Sequence, residues 1–173
     1  MQRYDARTAL IVVDLQNDFA DPAGSLAVHG GSNLVPIINA EIAMARAAES
    51  TIVLTQDWHP DTTPHFAKDG GTWPVHCVAG TWGAELHPGV EAEAARAAIR
   101  IRKGANGEDG YSGFTMRHPT NGETIPTELE NVLRGAGIER VIVCGLATDY
   151  CVKATALDAA RLGFETAVLL DAI

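Results

Sequence analysis

Asp57, His59, His65 and His76 place four metal-ligating side chains within one twenty-residue stretch of irregular, Pro-containing sequence. A lone histidine is usually a core or surface residue. Clustered histidine and aspartate are the composition that holds borderline divalent metals such as Zn²⁺, Mn²⁺ or Fe²⁺. Asp57 and His59 are two residues apart at the end of a strand-like run. If the extended chain continues through them, both side chains leave the same side of the sheet.

A second set of reactive residues sits at the ends of other apolar runs. Asp14 closes the run 8–14, Lys103 closes 97–102 and Cys151 follows the run 140–146. Along Ile99 to Lys103, side-chain alternation puts Lys103 on the face of Ile99 and Ile101, and Arg100 and Arg102 on the other, solvated face. A lysine that follows an apolar face is drawn into the interior and needs a counter-charge, for which Asp14 is the natural candidate. The alternative is that it bends out to solvent, as long amphipathic side chains do. Thr148 or Asp149 would N-cap a helix running to Leu162, which puts Cys151 in its first turn. There the helix dipole and a nearby ammonium favour a thiolate of depressed pKa. Thiol, ammonium and carboxylate together make a nucleophilic set. Cys144 in mid-strand and Cys77 read as small buried residues.

The elements that must position these groups follow from hydrophobic pattern. Runs 8–14, 51–56, 97–102, 140–146 and 165–170 read as strands. Residues 33–49 carry Leu34, Ile37, Ile38, Ile42 and Ala45 at helical spacing, and 126–135 and 149–162 also read as helices. Residues 57–90 and 104–122 read as loop, the former long enough to suggest function. Strands alternating with helices predict an α/β fold, a three-layer α/β/α sandwich around a mostly parallel, doubly wound sheet. Ligands of such sheets collect at the carboxyl ends of the strands, where Asp14, Asp57, His59, Lys103 and Cys151 all fall.

The chain of 173 residues suits one domain spanning 1–173. A formal charge of −9 argues against nucleic acid and against anionic membrane surfaces as partners. Three cysteines without a C-x-x-C pair, and no apolar stretch long enough for a leader or span, predict free thiols in the cytoplasm.

Taken in order, these residues resemble a known family. The segments are Val13-Asp14-Leu15-Gln16-Asn17-Asp18-Phe19, Asp57-Trp58-His59-Pro60, Trp73-Pro74-Val75-His76-Cys77, Lys103-Gly104, Tyr111-Ser112-Gly113-Phe114 and Gly145-Leu146-Ala147-Thr148-Asp149-Tyr150-Cys151. The chain is similar nearly end to end to the isochorismatase-like cysteine hydrolases, and within them to the nicotinamidases (pyrazinamidases). The metal set matters most, because the isochorismatase branch and several sister amidases generally lack it.

The resemblance implies a catalytic triad of Asp14, Lys103 and Cys151. It implies one divalent metal ion (Zn, Fe or Mn) on Asp57, His59 and His76, with His65 at a position that ligates in some members. A cis peptide is expected between Leu146 and Ala147, aiming the backbone N–H groups of Ala147 and Cys151 at the substrate oxygen. Phe19 and Trp73 would sandwich a pyridine ring, and Tyr111 would line the pocket. The reaction implied is hydrolysis of nicotinamide, and of pyrazinamide, to the acid and ammonia through a cysteine thioester, in the service of NAD salvage. Family members usually continue past the position of Ile173 through a further helix and often a short edge strand. Stability and contacts of a homo-oligomer, rather than the chemistry, are expected to depend on that segment.

Three rival readings stand beside this one. A sister cysteine amidase acting on another small amide or carbamoyl compound would not need Asp57, His59 and His76. A metallohydrolase using metal-bound water would not need Lys103 and Asp14 at adjoining strand ends. A non-enzymatic module would need no nucleophile at a helix start. His29, His87 and His118 read as solvated, and Asn17 and Asp18 as residues that fix the loop after the first strand.

Overall fold

The computed structural model describes residues 3–90 and 98–173. Strand β1 (Thr8–Val13) is buried at every position, as its unbroken apolar sequence demands. Its alternate side chains feed two separate cores. Leu10 and Val12 join Val35, Ile38, Ile42 and Ala45 of helix α2 (Leu34–Ala47) on one face. Ala9, Ile11 and Val13 join Leu129 and Leu133 of helix α3 (Leu129–Gly135) and Ala159 of helix α4 (Lys153–Arg161) on the other. Helices therefore cover both faces of the sheet, which is the expected three-layer α/β/α arrangement.

The main sheet is five-stranded and parallel, in the order β3-β2-β1-β6-β7, with β2 (Thr51–Asp57), β3 (Ile99–Lys103), β6 (Arg140–Gly145) and β7 (Glu165–Val168). The chain winds outward from β1 through β2 to β3, then returns to β6 on the other side of β1. That reversal leaves a crevice beyond the carboxyl ends of β1 and β6, the usual place for a ligand in such sheets.

Several expectations are corrected. The expected loop 104–122 contains strand β4 (Thr115–Arg117), which pairs antiparallel with β5 (Thr124–Pro126). Three-residue strands carry too little alternation to be visible in sequence. The helix expected at 126–135 begins only at Leu129, because Pro126 ends β5 and the Thr127 hydroxyl accepts the Leu129 N–H at 3.2 Å. Asn17–Ala20 forms a short helix, α1, and β7 stops at Val168, giving way to a 3₁₀ turn at Leu170–Ala172. Position 97, expected to open the third strand, lies outside the described residues. Among the described residues no helix is long and apolar enough to cross a membrane.

Candidate active site

The strand ends meet because of two backbone devices. Gly145 has φ +112°, and a Cβ there would lie 2.1 Å from the Val13 carbonyl oxygen. Only glycine lets β6 press against β1 so closely. The Leu146 N–H then donates to Val13 at 2.8 Å, and a cis peptide joins Leu146 to Ala147, as the resemblance implied. Asp14 itself sits at φ +47°, a conformation that non-glycine residues rarely adopt and that clusters at functional sites.

Lys103 is the hub. Its side chain is 1% exposed, so it is buried rather than bent out to solvent. The ammonium donates to Asp14 Oδ2 at 2.7 Å and to the Tyr111 carbonyl at 3.2 Å, and it lies 3.5 Å from Cys151 Sγ. It also stands 2.8 Å from Asp57 Oδ1, a second ion pair set by the register of Asp57 against Lys103. The Thr55 hydroxyl donates to Asp14 Oδ1 at 2.6 Å and fixes that carboxylate. Two buried carboxylates thus share one ammonium. Asp14, Asp57 and Cys151 bring one ligand atom each within 4.8 Å of one another.

The charge states follow from burial and these neighbours. Burial opposes the Lys103 ammonium, but Asp14 and Asp57 outweigh it and hold its pKa well above the ordinary lysine value. Burial would raise Asp57, yet Lys103 and the facing imidazoles of His59 and His76 hold it well below the usual carboxylate range. Asp14 goes the other way: burial raises it, Lys103 resists, and the Asp57 charge adds to the rise. Cys151 corrects the expected depressed thiol. Desolvation pushes it well above the usual value, Lys103 opposes, and Asp14 and Asp57 reinforce the rise. Neither Thr148 nor Asp149 caps the turn. It is a π turn over Thr148–Val152 that starts from Ala147 and carries no side-chain cap. The resting group is therefore a thiol, beside a carboxylate more basic than an ordinary aspartate.

Next to this set, Asp57 Oδ2 lies 3.7 Å from His59 Nε2 and 3.8 Å from His76 Nε2. His59, His65 and His76 each offer a nitrogen within 4.8 Å of the others, and all three are buried. Both ring nitrogens of His59 lack a hydrogen-bond partner, a costly state for buried polar atoms. His76 Nδ1 is 2.7 Å from the Pro74 carbonyl, which can only accept, so Nδ1 carries the hydrogen and Nε2 presents a lone pair. His65 Nδ1 is likewise engaged, by Asp109 Oδ1 at 2.6 Å. Orphaned imidazole nitrogens, lone pairs turned inward and a carboxylate among them fit a divalent metal ion.

Both sets border one cavity of about 210 Å³, lined by Phe19, Trp73, Tyr111, Tyr150, Ala147 and Cys151, with Asp57, His65 and His76 also on its surface. It is small beside the several hundred cubic ångströms usual for drug-sized ligands. Trp73 Nε1 donates to the Tyr111 hydroxyl at 3.1 Å, and the Tyr150 ring meets Trp73 edge-on at 5.0 Å. The walls are largely aromatic and aliphatic, with Asp57, His65, His76 and Cys151 as the reactive groups among them. Its small volume and aromatic lining suit a small, flat ligand.

Residues 8–173 match the family described as Isochorismatase domain. The chain belongs to the isochorismatase-domain family. It is 45% identical over 166 residues to the nicotinamidase/pyrazinamidase of Mycobacterium tuberculosis, covering 94% of this chain and 84% of that protein. The pyrazinamidase of Pyrococcus horikoshii, solved in complex with zinc, superposes with a TM-score of 0.84 at 42% identity, covering 96% of this chain and 86% of that one. PnC1 from L. infantum, solved in complex with nicotinate, superposes with a TM-score of 0.87 at 41% identity, covering 97% and 81%.

In this isochorismatase-domain chain every expected site residue reaches the same crevice. Asp14, Lys103 and Cys151 meet directly, and Asp57, His59, His65 and His76 converge beside them. Phe19, Trp73, Tyr111 and Ala147 line the cavity. Tyr150, Leu26 and Val28 also stand on the cavity wall, beyond the residues expected from sequence. Tyr150 could have been suspected from its place before Cys151; the loop residues carry no signal. Gln16 is a further unexpected member of the site: its amide donates to the Asp57 carbonyl at 2.7 Å and accepts the Asp57 N–H at 2.8 Å. Asp18 fixes the loop as expected, accepting the Cys77 N–H at 2.7 Å beside His76. His29 and His118 are exposed, and His87 is half-buried.

Proposed function

We propose that this chain hydrolyses nicotinamide, and pyrazinamide, to the carboxylic acid and ammonia by covalent catalysis at Cys151. The observation that carries the proposal is the convergence on one small aromatic cavity of a buried thiol–ammonium–carboxylate set and an imidazole–carboxylate cluster. Relatives named nicotinamidase, and the nicotinate held by the L. infantum protein, support the substrate class.

The ring enters between Phe19 and Trp73, with Tyr111 and Tyr150 closing the mouth. Asp57, His59 and His76, with His65, would hold a divalent ion such as zinc, iron or manganese. When bound, that ion supplies a Lewis-acidic anchor for a ring nitrogen and so orients the ring. Asp14, whose raised pKa makes it the better base, takes the Cys151 proton as the sulfur forms a bond to the carboxamide carbon. Lys103 balances the charge that appears on sulfur and on Asp14. The carbonyl oxygen, now anionic, is held by the backbone N–H groups of Ala147 and Cys151, and losing one such donor typically costs about a hundred- to a thousand-fold. Asp14 returns the proton to nitrogen, the C–N bond breaks, ammonia leaves and a thioester remains. Water gives its proton to Asp14 and attacks the thioester carbon, the C–S bond breaks, and the proton returns to sulfur. The free cysteines and the substrate fit a cytoplasmic role in NAD salvage.

The test is ammonia release from nicotinamide by purified protein, beside a chelator-stripped sample. Release that chelation removes and added metal restores is the expected result. A folded, metal-loaded protein that releases none would overturn the substrate assignment.

A further inference from the structure

Asp109 stands outside the cavity wall and takes no part in the chemistry above, yet it is built into place with unusual care. Its backbone N–H donates to the Arg117 carbonyl at 3.0 Å, and the Arg117 N–H donates back at 2.6 Å, pinning Asp109 to the edge of β4. The Gly110 N–H donates to Asp109 Oδ1 at 2.8 Å, and the Arg117 guanidinium grips Oδ2. What this mount delivers is one oxygen, 2.6 Å from Nδ1 of the buried His65. Side-chain exposure falls from 54% at Arg117 to 32% at Asp109 and 5% at His65, so the three form a chain from solvent to the imidazole cluster.

An imidazole turned over about its long axis exchanges its two nitrogens, so an acceptor fixed on one side decides which nitrogen faces the other. A carboxylate can only accept. Nδ1 of His65 therefore carries the hydrogen, and Nε2 keeps its lone pair for the cluster with His59 and His76. Carboxylate partners of this kind orient metal-bound histidines and increase their basicity.

We propose that Asp109 is a positioning residue, held by Arg117, that makes His65 the fourth ligand of the metal. The inference rests on the reading of the imidazole cluster as a metal site. A mere surface salt bridge to Arg117 would leave metal binding untouched.

The test uses Co²⁺ as probe, its affinity measured by chelator competition and its coordination read from the visible absorption spectrum. Asp109→Ala is expected to bind about 10- to 100-fold more weakly, with a spectrum that resembles that of His65→Ala. Asp109→Glu is expected to recover most of the affinity. In a His65→Ala background, Asp109→Ala should cost nothing further, because the path through His65 is already gone. Thermal unfolding of each variant without metal checks folding, and the half-exposed position of Asp109 favours it. Wild-type affinity and spectrum in a folded Asp109→Ala protein would overturn the positioning role and leave the metal site standing. A loss that persists in the His65→Ala background would also overturn it. Wild-type protein that takes up no Co²⁺ would overturn both. Nicotinamide turnover enters none of these readouts, so a wrong substrate would not disturb them.

Discussion

Replacing Lys103 with methionine keeps most of the side-chain volume and removes the charge that Asp14 and Asp57 share. Both carboxylates are buried, with side chains 0% and 6% exposed, and the ammonium sits 2.7 and 2.8 Å from them. Breaking a buried pair by removing one partner typically costs about 3–5 kcal/mol. Proton uptake caps the loss. Neutralising one carboxylate at pH 7 means protonating it about three units above its unfolded pKa, at about 1.36 kcal/mol per unit, or roughly 4 kcal/mol. For a chain of this length that corresponds to a fall in Tm of about 8–16 °C.

The loss has a signature in pH. In the variant the surplus carboxylate binds its proton more tightly folded than unfolded, so stability falls as pH rises above the unfolded value of about 3.9. The gap from wild type should therefore narrow by up to roughly 2.7 kcal/mol between pH 7 and pH 5, less the share of that proton uptake that the raised Asp14 of wild type already shows. In wild type the two carboxylates work in opposite senses: Asp14, raised by burial, loses its contribution as pH rises, whereas Asp57 does the reverse. Asp57 has a depressed folded pKa, so its contribution is present above the unfolded pKa and is lost only as pH falls through the lower folded value. Urea unfolding followed by tryptophan fluorescence, in chelator at both pH values, measures the gap. A variant within about 0.5 kcal/mol of wild type at pH 7, which is the spread of ordinary surface substitutions, would show that Lys103 does not neutralise these carboxylates. So would a gap that does not change with pH.

Further outcomes follow from the same geometry. The acid limb of kcat/KM should lie above the ordinary aspartate range, because Asp14 must be ionised to accept the Cys151 proton and burial raises its pKa; a pH–rate profile for nicotinamide checks this, and an acid limb at or below about pH 3.9 would contradict it. Gly145→Ala should be severely destabilised, since its Cβ would sit 2.1 Å from the Val13 carbonyl at a φ of +112°; a Tm within a few degrees of wild type would show that β6 and β1 are not so tightly apposed.

What could be read from sequence was what depends on local pattern. Strands β1, β2 and β6 are legible because each carries a continuous apolar run, 9–13, 52–54 and 141–144, as burial on both faces requires, and α2 because Ile38, Ile42 and Ala45 recur at helical spacing. The reactive residues were legible because they close such runs, and in a parallel sheet run ends share one rim. The β4–β5 hairpin was not, since its strands are three residues each, and with it the mount of Asp109 was lost from view. The raised pKa of the Cys151 thiol is not legible in sequence for a different reason. A helix start and a neighbouring lysine are visible in sequence, but the depth of burial and the second carboxylate, Asp57, exist only once β2 lies beside β3. Tyr150 shows the same limit: its place before Cys151 is local, while its contacts with Trp73 and Tyr111 are brought about by the fold.

In the proposed mechanism, amide cleavage passes through a bond to Cys151. The most direct measurement is intact-protein mass spectrometry of samples acid-quenched during nicotinamide turnover, followed by peptide mapping, with Cys151→Ala alongside. The expected result is a mass increase equal to the nicotinoyl group on the Cys151 peptide, and a Cys151→Ala protein that still binds metal but neither forms the adduct nor releases ammonia. Ammonia release by Cys151→Ala at a substantial fraction of the wild-type rate would contradict it.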